Sequence, residues 1–237
     1  MDRPAGILGG LGPMATVFFM GRVVDLTESD TDQGHVDMIV WNQASTPDRT
    51  AYLVGASEAD PLPAMLSAAA ALERSGAAFI AMPCNTAHQF YDALADSVGV
   101  PFLNIVQESV AWARERVPGL ATLGVMATDG TVLTGTYEQE CRRVGVACVV
   151  PAPAVQAEVM DMIYAGVKAG RRVDPARFHA VLAHLRDRGC EAIVLGCTEL
   201  SVLARDLGVT DGDVIDSVDA LARATIRASG KRIREQA

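Results

Sequence analysis

Short runs of apolar residues recur along the chain, and longer segments with helical periodicity separate them. An uninterrupted apolar run, in contrast to one that alternates with polar residues, is typical of a strand buried on both faces of a parallel sheet. The runs predict eight strands, at Ile7–Leu8, Val36–Trp41, Ala77–Met82, Phe102–Val106, Leu123–Met126, Ala147–Val150, Ala192–Leu195 and Val214–Ile215.

Two of the intervening segments have clear helix boundaries. Asp60–Pro61 suits the cap and the first position of a helix that Gly76 would end. Asp174–Pro175 predicts the start of another helix, which Gly189 would end. Because strands alternate with helices, the pattern indicates βαβ units and an α/β fold.

The chain also has the pattern of a loose duplication. A strand leads into GGLGPMAT near the start, and another leads into ATDGT near the middle. About seventy residues after each, a strand ends in a cysteine, within Ile80–His88 and Ile193–Ser201. We therefore expect two pseudo-symmetric domains, each a mostly parallel sheet flanked by helices, with the active site in the cleft between them. The expected limits are 1–108 with 213–237 for the first domain and 109–212 for the second.

Composition narrows the classes of partner. The chain has 237 residues and a net charge of −9, and half of its residues are hydrophobic. An acidic globular protein is not expected to bind nucleic acid or an anionic membrane, because both require a basic surface. No apolar run is long enough to span a bilayer, and the N-terminal residues lack the apolar core of a signal peptide. A cytoplasmic location is therefore expected.

The cysteine pattern argues against disulfides and metal sites. The five cysteines are Cys84, Cys141, Cys148, Cys190 and Cys197. Their number is odd, no pair has the C-x-x-C spacing, and the chain contains four histidines. Neither a disulfide framework nor a structural zinc site is expected.

Cys84 and Cys197 stand apart from the other three, because each is expected at the carboxyl end of a strand, where a helix begins. Ligands of open α/β sheets bind at these strand ends, and a helix N-terminus lowers the pKa of a thiol. Two thiols on opposite sides of a ligand suit stereoinversion, in which one removes a proton and the other delivers one. The alternatives are a nucleophile with a resolving thiol in redox chemistry, or two small buried apolar residues.

Five motifs together resemble the aspartate/glutamate racemase superfamily, and its aspartate racemases in particular. They are GGLGPMAT (Gly9–Thr16), TPDRTAYLV (Thr46–Val54), MPCNTAH (Met82–His88), IYAGVKAG (Ile163–Gly170) and LGCTEL (Leu195–Leu200). The resemblance covers essentially the whole chain. It implies a racemase without a cofactor, usually a homodimer, in which Cys84 and Cys197 are the acid/base pair and Cys197 acts on the L-enantiomer.

Arg49 and Lys168 bear on the substrate. A guanidinium in a loop after a strand can bind a carboxylate with two hydrogen bonds. Either residue is alternatively a solvated charge, and Lys168 alternatively interacts with the C-terminus of its own helix. The resemblance implies that both hold substrate carboxylates, and hence that the substrate is a dicarboxylic amino acid.

The glycine turn and its counterpart in the second half are further candidates. Gly10 and Gly12 precede a helix expected to open near Met14, and their backbone N–H groups either face the ligand or form a tight turn. Thr128 occupies the corresponding turn in the second half and is expected to face the cleft.

The remaining candidates adjoin the two cysteines. Asn85, Thr86 and Thr198 either bind a carboxylate or cap their helices. His88, four residues after the first cysteine, would share its helix face and tune it, form a nucleophilic pair with it, or be structural. Glu199 either tunes the second cysteine or caps a helix.

These observations favour an enzyme that interconverts L- and D-aspartate. Within the same superfamily, the alternatives are a glutamate or broad-specificity racemase, and a relative resembling maleate isomerases or decarboxylases. A protein that binds small ligands on this fold, or a redox enzyme, would belong to another class.

Overall fold

The computed structural model of the chain describes residues 3–234. Across these residues, eight strands form two parallel sheets of four strands each. The first sheet contains β1 (Ala5–Gly9), β2 (Met38–Asn42), β3 (Phe79–Ala81) and β4 (Phe102–Leu103). The second contains β5 (Thr122–Ala127), β6 (Ala147–Val149), β7 (Ala192–Gly196) and β8 (Val214–Asp216). The predicted α/β fold with two similar halves is confirmed.

Both sheets have the same strand order. The orders are β2-β1-β3-β4 and β6-β5-β7-β8, so β3 and β7 occupy equivalent places. Strands β1, β3 and β7 are buried along their full length, as expected of strands covered on both faces. Because ligand sites of parallel sheets form beyond the carboxyl ends of the strands, the residues after β3 and β7 are placed equivalently.

Helices flank the two sheets. Within the described residues they are α1 (Pro13–Leu26), α2 (Arg49–Leu53), α3 (Leu62–Arg74), α4 (Tyr91–Asp96), α5 (Ile105–Arg116), α6 (Asp129–Thr134), α7 (Thr136–Arg143), α8 (Pro153–Asp161), α9 (Pro175–Asp187), α10 (Thr198–Asp206) and α11 (Ser217–Ala228). Asp32–Gly34 and Thr86–Phe90 are 3₁₀-helical, and the π-helical segment Met162–Val167 continues α8. Among residues 3–234, no helix has the length and apolar character needed to cross a bilayer.

The predicted helix start at Asp174–Pro175 is confirmed, whereas the other falls one residue later than predicted, with Pro61 as the cap and Leu62 as the first residue of α3. A carboxylate oxygen of Asp60 accepts a hydrogen bond from the N–H of Leu62, the first residue of α3. Asp174 accepts a hydrogen bond from the N–H of Ala176, in the first turn of α9. Each carboxylate thus satisfies a backbone donor that the helix itself leaves unpaired.

The predicted strand Phe102–Val106 is wrong in its second half. Strand β4 ends at Leu103, and α5 begins at Ile105. The side chain of Asn104 accepts hydrogen bonds from the N–H groups of Val106 and Gln107 and therefore caps α5. The apolar run continued through this cap, so hydrophobicity alone placed the boundary too late.

The segment after residue 212, which we assigned to the first half, divides between the two halves. Strand β8 pairs with β7, so its assignment to the first half is wrong. The pairing satisfies the backbone of β7, which would otherwise be an edge strand. Helix α11 packs against both α1 and α5, and the N–H of Glu28 donates to the carbonyl of Arg232. The domain limits otherwise remain a prediction, and residues 1–2 and 235–237 lie outside the described residues.

One apolar cluster contains residues of both halves, and each half has a further cluster of its own. Phe19 of α1, Val110 of α5 and Ile226 of α11 are fully buried in the same cluster. That cluster also contains Ile7 of the first sheet and Val125 of the second. Three helices are therefore packed between the sheets, and they fix how the strand ends of the two halves face each other.

Candidate active site

A buried cavity between the halves is lined by residues from both. Its lining residues are Leu11, Asp48, Arg49, Thr50, Cys84, Asn85, Thr86, Thr128, Tyr164, Lys168, Cys197, Thr198 and Glu199. All of the predicted site residues line it except Gly10, Gly12 and His88. The cavity measures about 20 Å³, which is room for roughly one water molecule.

A larger groove adjoins this cavity. The groove measures about 1120 Å³ and shares Asp48, Arg49, Lys168 and Glu199 with it. These four residues therefore lie where the cavity meets the groove.

The two cysteines reach the cavity from equivalent strand ends. Cys197 follows β7 directly and precedes α10, as predicted. Cys84 lies three residues after the end of β3 and precedes the 3₁₀ segment Thr86–Phe90, where the sequence predicted an α-helix. Both side chains are buried, with exposures of 7% for Cys84 and 6% for Cys197. One thiol from each half therefore lines the same small space.

Cys197 has a carboxylate beside it. Its Sγ donates a hydrogen bond to Oε2 of Glu199 at 3.0 Å, and the hydroxyl of Thr198 donates to the same oxygen at 3.2 Å. Burial first, and then the charge of Glu199, raises the pKa of Cys197 well above that of an ordinary thiol. The backbone of Glu199, in the first turn of α10, lowers the pKa of Cys197 as expected, but desolvation and the carboxylate outweigh this contribution. Cys197 is therefore favoured as the protonated thiol.

Lys168 faces this acidic side of the cavity. It follows the π-helical segment Met162–Val167, and its Nζ lies 4.1 Å from the ring centroid of Tyr164 and 3.8 Å from Oδ2 of Asp48. Burial by itself lowers the pKa of Lys168, but the neighbouring acidic groups, led by Glu199, raise it overall. Lys168 is therefore a cation held inside the cleft.

Arg49 is anchored by backbone groups. It begins the short helix α2, where the sequence predicted a loop, and Asp48 caps that helix. Its Nη1 donates to the carbonyls of Thr46 and Pro47, and its Nη2 donates to the carbonyl of Leu11 at 2.5 Å. Its buried Nε has no hydrogen-bond partner among residues 3–234. The guanidinium is thus fixed in place, with a donor still unsatisfied.

Three threonine hydroxyls join the halves at another wall. Oγ1 of Thr86 lies 2.9 Å from that of Thr128 and 3.0 Å from that of Thr131, within hydrogen-bonding distance. The backbones approach closely beside them, since a Cβ on Gly130 would lie 3.1 Å from the Cα of Thr50. A residue with a side chain at position 130 would push α6 away from the first half.

Asn85 lines the cavity, but its amide is already engaged. Its Nδ2 donates to the hydroxyl of Ser217, and its Oδ1 accepts from the hydroxyl of Tyr137. Tyr137 lies on α7 in the second half, and Ser217 lies at the start of α11. Asn85 therefore connects the first cysteine to the opposite side of the cleft.

His88 does not line the cavity, and its ring does not bond to the thiol of Cys84. Its Nε2 accepts from the N–H of Ile105, so its proton is on Nδ1, which donates to the carbonyl of Cys84 at 2.7 Å. Burial lowers the pKa of His88 to about 4. The hypothesis of a nucleophilic Cys–His pair is wrong, because both ring nitrogens bond to backbone groups. His88 instead fixes the backbone that carries the cysteine.

The glycine turn lines the groove and not the cavity. The N–H of Gly10 donates to Oγ1 of Thr16, so the expectation that it faces the ligand is wrong. Gly10 has a φ of +83°, and a Cβ there would overlap the backbone of Gln43. Gly12 has a φ of +136°, and a Cβ there would lie 3.3 Å from Oε1 of Glu199. The turn lets the first half approach the acidic side of the second.

The cavity also contains residues that the sequence reasoning missed. Asp48 and Thr50 flank Arg49, and Tyr164 lies one helical turn before Lys168. The i, i+4 spacing of Tyr164 and Lys168 is a signal that could have identified the tyrosine, because such residues share a helix face. Asp48 and Thr50 carried no comparable signal in the sequence, because the segment around Arg49 was expected to be a loop without helical periodicity.

The chain is similar to known racemases both in sequence and in fold. A family model described as Asp/Glu/Hydantoin racemase matches residues 8–225. The chain is 27% identical over 228 residues to the broad specificity amino-acid racemase RacX of Bacillus subtilis (strain 168), covering 93% of this chain and 96% of that protein. It is 32% identical over 166 residues to a glutamate racemase of Deinococcus radiodurans, covering 67% of this chain and 55% of that protein. Among solved structures, an aspartate racemase of Picrophilus torridus superposes with a TM-score of 0.85 at 29% identity, covering 100% of this chain and 97% of that one.

Proposed function

Because the chain belongs to the Asp/Glu/Hydantoin racemase family, we propose that it interconverts L- and D-aspartate without a cofactor, by proton transfer at Cα between Cys84 and Cys197. The observation that carries the proposal is the presence of both thiols, one from each half, in a single buried cavity with Arg49 and Lys168. This is the arrangement that a two-base inversion requires.

The reaction proceeds in two proton transfers. With one cysteine as thiolate and the other as thiol, the thiolate removes the Cα proton from one face of aspartate. The thiol then delivers its own proton to the opposite face, which inverts the centre. The enzyme finishes with its two protonation states exchanged, so the same pair is set to run the reverse reaction.

The cations make the Cα proton easier to remove. When it leaves, negative charge spreads into the α-carboxylate, and a fixed cation stabilises that charge most strongly where water is excluded. Arg49 is held by three backbone carbonyls, and Lys168 stays protonated in the cleft. We assign the two carboxylates of the substrate to these two side chains.

Glu199 gives Cys197 a route to its thiolate. A buried thiol of raised pKa is a poor base, but its proton already lies on a hydrogen bond to a carboxylate. We propose that Glu199 accepts this proton when Cys197 acts as the base. The proton taken from Cα then makes Cys197 a thiol again, Cys84 becomes the thiolate as it delivers its own proton, and exchange with solvent removes the proton of Glu199 and restores that of Cys84. A substrate ammonium group in the cavity would lower the cost of the transfer to Glu199, because its charge favours the thiolate.

The choice of aspartate rests on the matching of charge. Two buried or half-buried cations suit a ligand with two carboxylates, and a ligand with one would leave a cation unmatched. The structural similarity to an aspartate racemase along the whole chain supports this choice. A broad-specificity amino-acid racemase is the second candidate, favoured by the similarity to RacX across almost all of both chains.

An enantiomer-resolved screen of the common L-amino acids, with EDTA and reductant and no added cofactor, tests the proposal. We expect aspartate to be inverted fastest and to reach an equal mixture of enantiomers. Comparable inversion of neutral amino acids would favour the broad-specificity alternative. Loss of turnover with EDTA, restored by a divalent metal, would contradict the thiol mechanism, and absence of inversion with any amino acid would contradict the function.

A further inference from the structure

A chain of buried hydrogen bonds joins Asn85, beside Cys84, to elements on the opposite side of the cleft. The hydroxyl of Tyr137 on α7 lies 2.6 Å from Oδ1 of Asn85, and Nδ2 of Asn85 lies 3.0 Å from Oγ of Ser217. Oγ of Ser217, at the start of α11, lies 2.7 Å from the carbonyl oxygen of Leu195 in β7. These three bonds connect Asn85 of the first half to α7 on one side and, through α11, to β7 on the other.

The direction of every bond in the chain is determined. Ser217 has one hydroxyl proton, which it donates to the carbonyl of Leu195, so it accepts from Nδ2 of Asn85. The amide of Asn85 is thereby oriented with Oδ1 towards Tyr137, whose hydroxyl donates to it. Consecutive bonds of one direction strengthen one another in a poorly polar interior.

Water cannot replace the members of this chain. Tyr137 and Asn85 are each 2% exposed, and Ser217 is fully buried. Burial also raises the pKa of the Tyr137 hydroxyl above its ordinary value, so it stays a donor throughout the neutral range. Loss of one hydroxyl would therefore leave its partner without a hydrogen bond.

The second member and the last member of this hydrogen-bonded chain each lie close in sequence to one of the two thiols. Asn85 is the residue after Cys84, and Leu195 lies two residues before Cys197 in the same strand. We propose that Tyr137 is a positioning residue, which acts through Asn85 and Ser217 to fix the separation of the two cysteines across the substrate. This inference rests on the proposed two-thiol racemase.

Tyr137 does not line the cavity, so its loss should leave substrate binding nearly intact. In the variant Tyr137→Phe, Oδ1 of Asn85 has no donor, and the amide and the adjoining Cys84 are free to shift. Because proton transfer is very sensitive to small displacements, we expect kcat to fall by about tenfold or more. We expect KM for aspartate to stay within about twofold, since Arg49 and Lys168 are untouched.

Partitioning in heavy water separates positioning from a general loss of stability. Each removed proton is either exchanged with solvent and replaced on the same face, or followed by delivery from the other thiol with inversion. If the thiols are misplaced relative to each other, we expect the ratio of exchange with retention to inversion to rise in Tyr137→Phe. A reduced fraction of folded enzyme would lower both processes equally and leave the ratio unchanged.

Two further variants complete the test. Ser217→Ala breaks the same chain at its other end and should raise the ratio in the same way. Tyr91→Phe is the matched control, because the hydroxyl of Tyr91 donates at 2.9 Å to the carbonyl of Phe102, outside this chain. It should behave as the wild type. All four proteins are compared after thermal melting has shown that they are folded, and Ser217→Ala carries the test if Tyr137→Phe does not fold.

Unchanged kcat and an unchanged exchange ratio in folded Tyr137→Phe or Ser217→Ala would overturn the positioning role. An equal effect in Tyr91→Phe would overturn it as well. If the wild-type enzyme neither exchanges nor inverts any amino acid, the proposed function itself is contradicted, and the role of Tyr137 in it is contradicted with it. The wild-type result thus distinguishes the two failures.

Discussion

The thiol of Cys197 donates its proton to Glu199 across 3.0 Å, and this carboxylate together with burial favours the protonated thiol. The same contact that holds the proton also provides its acceptor. Cys197 therefore rests as an acid and becomes a base only when charge in the cavity changes.

Replacing Glu199 by Gln should lower the pKa of Cys197, because an uncharged amide no longer disfavours the thiolate. Alkylation of Cys197 by iodoacetamide, followed by mass spectrometry across a range of pH, measures the change. We expect the midpoint of alkylation to move to lower pH than in the wild type. Glu138→Gln, on the exposed face of α7, is the control and should leave the midpoint unchanged. A midpoint that stays in place or rises would show that Glu199 does not control this thiol.

Replacing either cysteine by Ser should nearly abolish racemisation, since a serine hydroxyl is far too weak an acid to supply the base. Exchange needs only one thiol, so we expect Cys84→Ser to exchange the Cα proton of L-aspartate slowly with solvent and Cys197→Ser that of D-aspartate. Proton NMR in heavy water measures this directly. The control is Cys148→Ser, which alters a thiol that does not line the cavity.

The opposite pattern of exchange would reverse the assignment of the cysteines to the enantiomers and keep the mechanism. Near-normal racemisation by Cys84→Ser or Cys197→Ser would exclude the two-thiol mechanism.

Removal of the guanidinium should weaken selection for a dicarboxylate. In Arg49→Leu, we expect kcat/KM for aspartate to fall at least about tenfold, which corresponds to about 1.4 kcal/mol. Arg49→Lys keeps the charge but not the forked geometry, and should fall between this variant and the wild type. Arg142→Leu removes an exposed arginine of α7 and serves as the control. If Arg49→Leu racemises aspartate normally, Arg49 does not bind a carboxylate.

Two buried titrating groups should oppose each other in the pH dependence of stability. Burial lowers the pKa of His88 to about 4, so the unfolded chain binds more protons as pH falls from about 6.5 to 4, and stability is lost in that window. Burial, followed by the charge of Asp219, raises the pKa of Asp216 to about 7. The folded state then keeps this proton longer, and stability is lost as pH rises from about 4 to 7.

Single variants should separate these contributions. In Asp216→Asn, which retains a residue able to cap α11, the free energy of unfolding should rise more steeply between pH 4.5 and 6.5 than in the wild type. His88→Gln should show the reverse change, with a slope lower by at most about 1.4 kcal/mol per pH unit. Urea denaturation at several pH values measures both slopes. Parallel curves for the wild type and both variants would show that neither group titrates in this window.

Much of the fold was predictable because a buried strand can be identified from a short local run of apolar residues. The run Ala192–Leu195 is apolar without interruption, and β7 is fully buried at that place, with Cys197 at its end. The paired cysteine turns therefore led from the sequence to two facing strand ends. The boundary at Asn104 was missed because a cap depends on one polar side chain, and the apolar run continued beyond it.

Contacts between distant segments were beyond sequence reasoning. The sequence left open whether His88 acts on the thiol of Cys84 or is structural, and its ring bonds to the N–H of Ile105, 17 residues away in the chain. The partnership of Tyr137 with Asn85 spans 52 residues. Neither contact is expressed in a local pattern, because each joins residues of different elements that meet only in the folded chain.

The shared core of the halves has a consequence for how the molecule comes apart. Phe19, Val110 and Ile226 lie in one continuous cluster with residues of both sheets, so neither half can unfold without exposing apolar surface that the other half buries. Melting should then be a single cooperative event, with calorimetric and van't Hoff enthalpies that agree. The sequence still shows two repeated pieces, and each keeps an apolar cluster of its own, but we expect neither half expressed alone to match the stability of the whole chain.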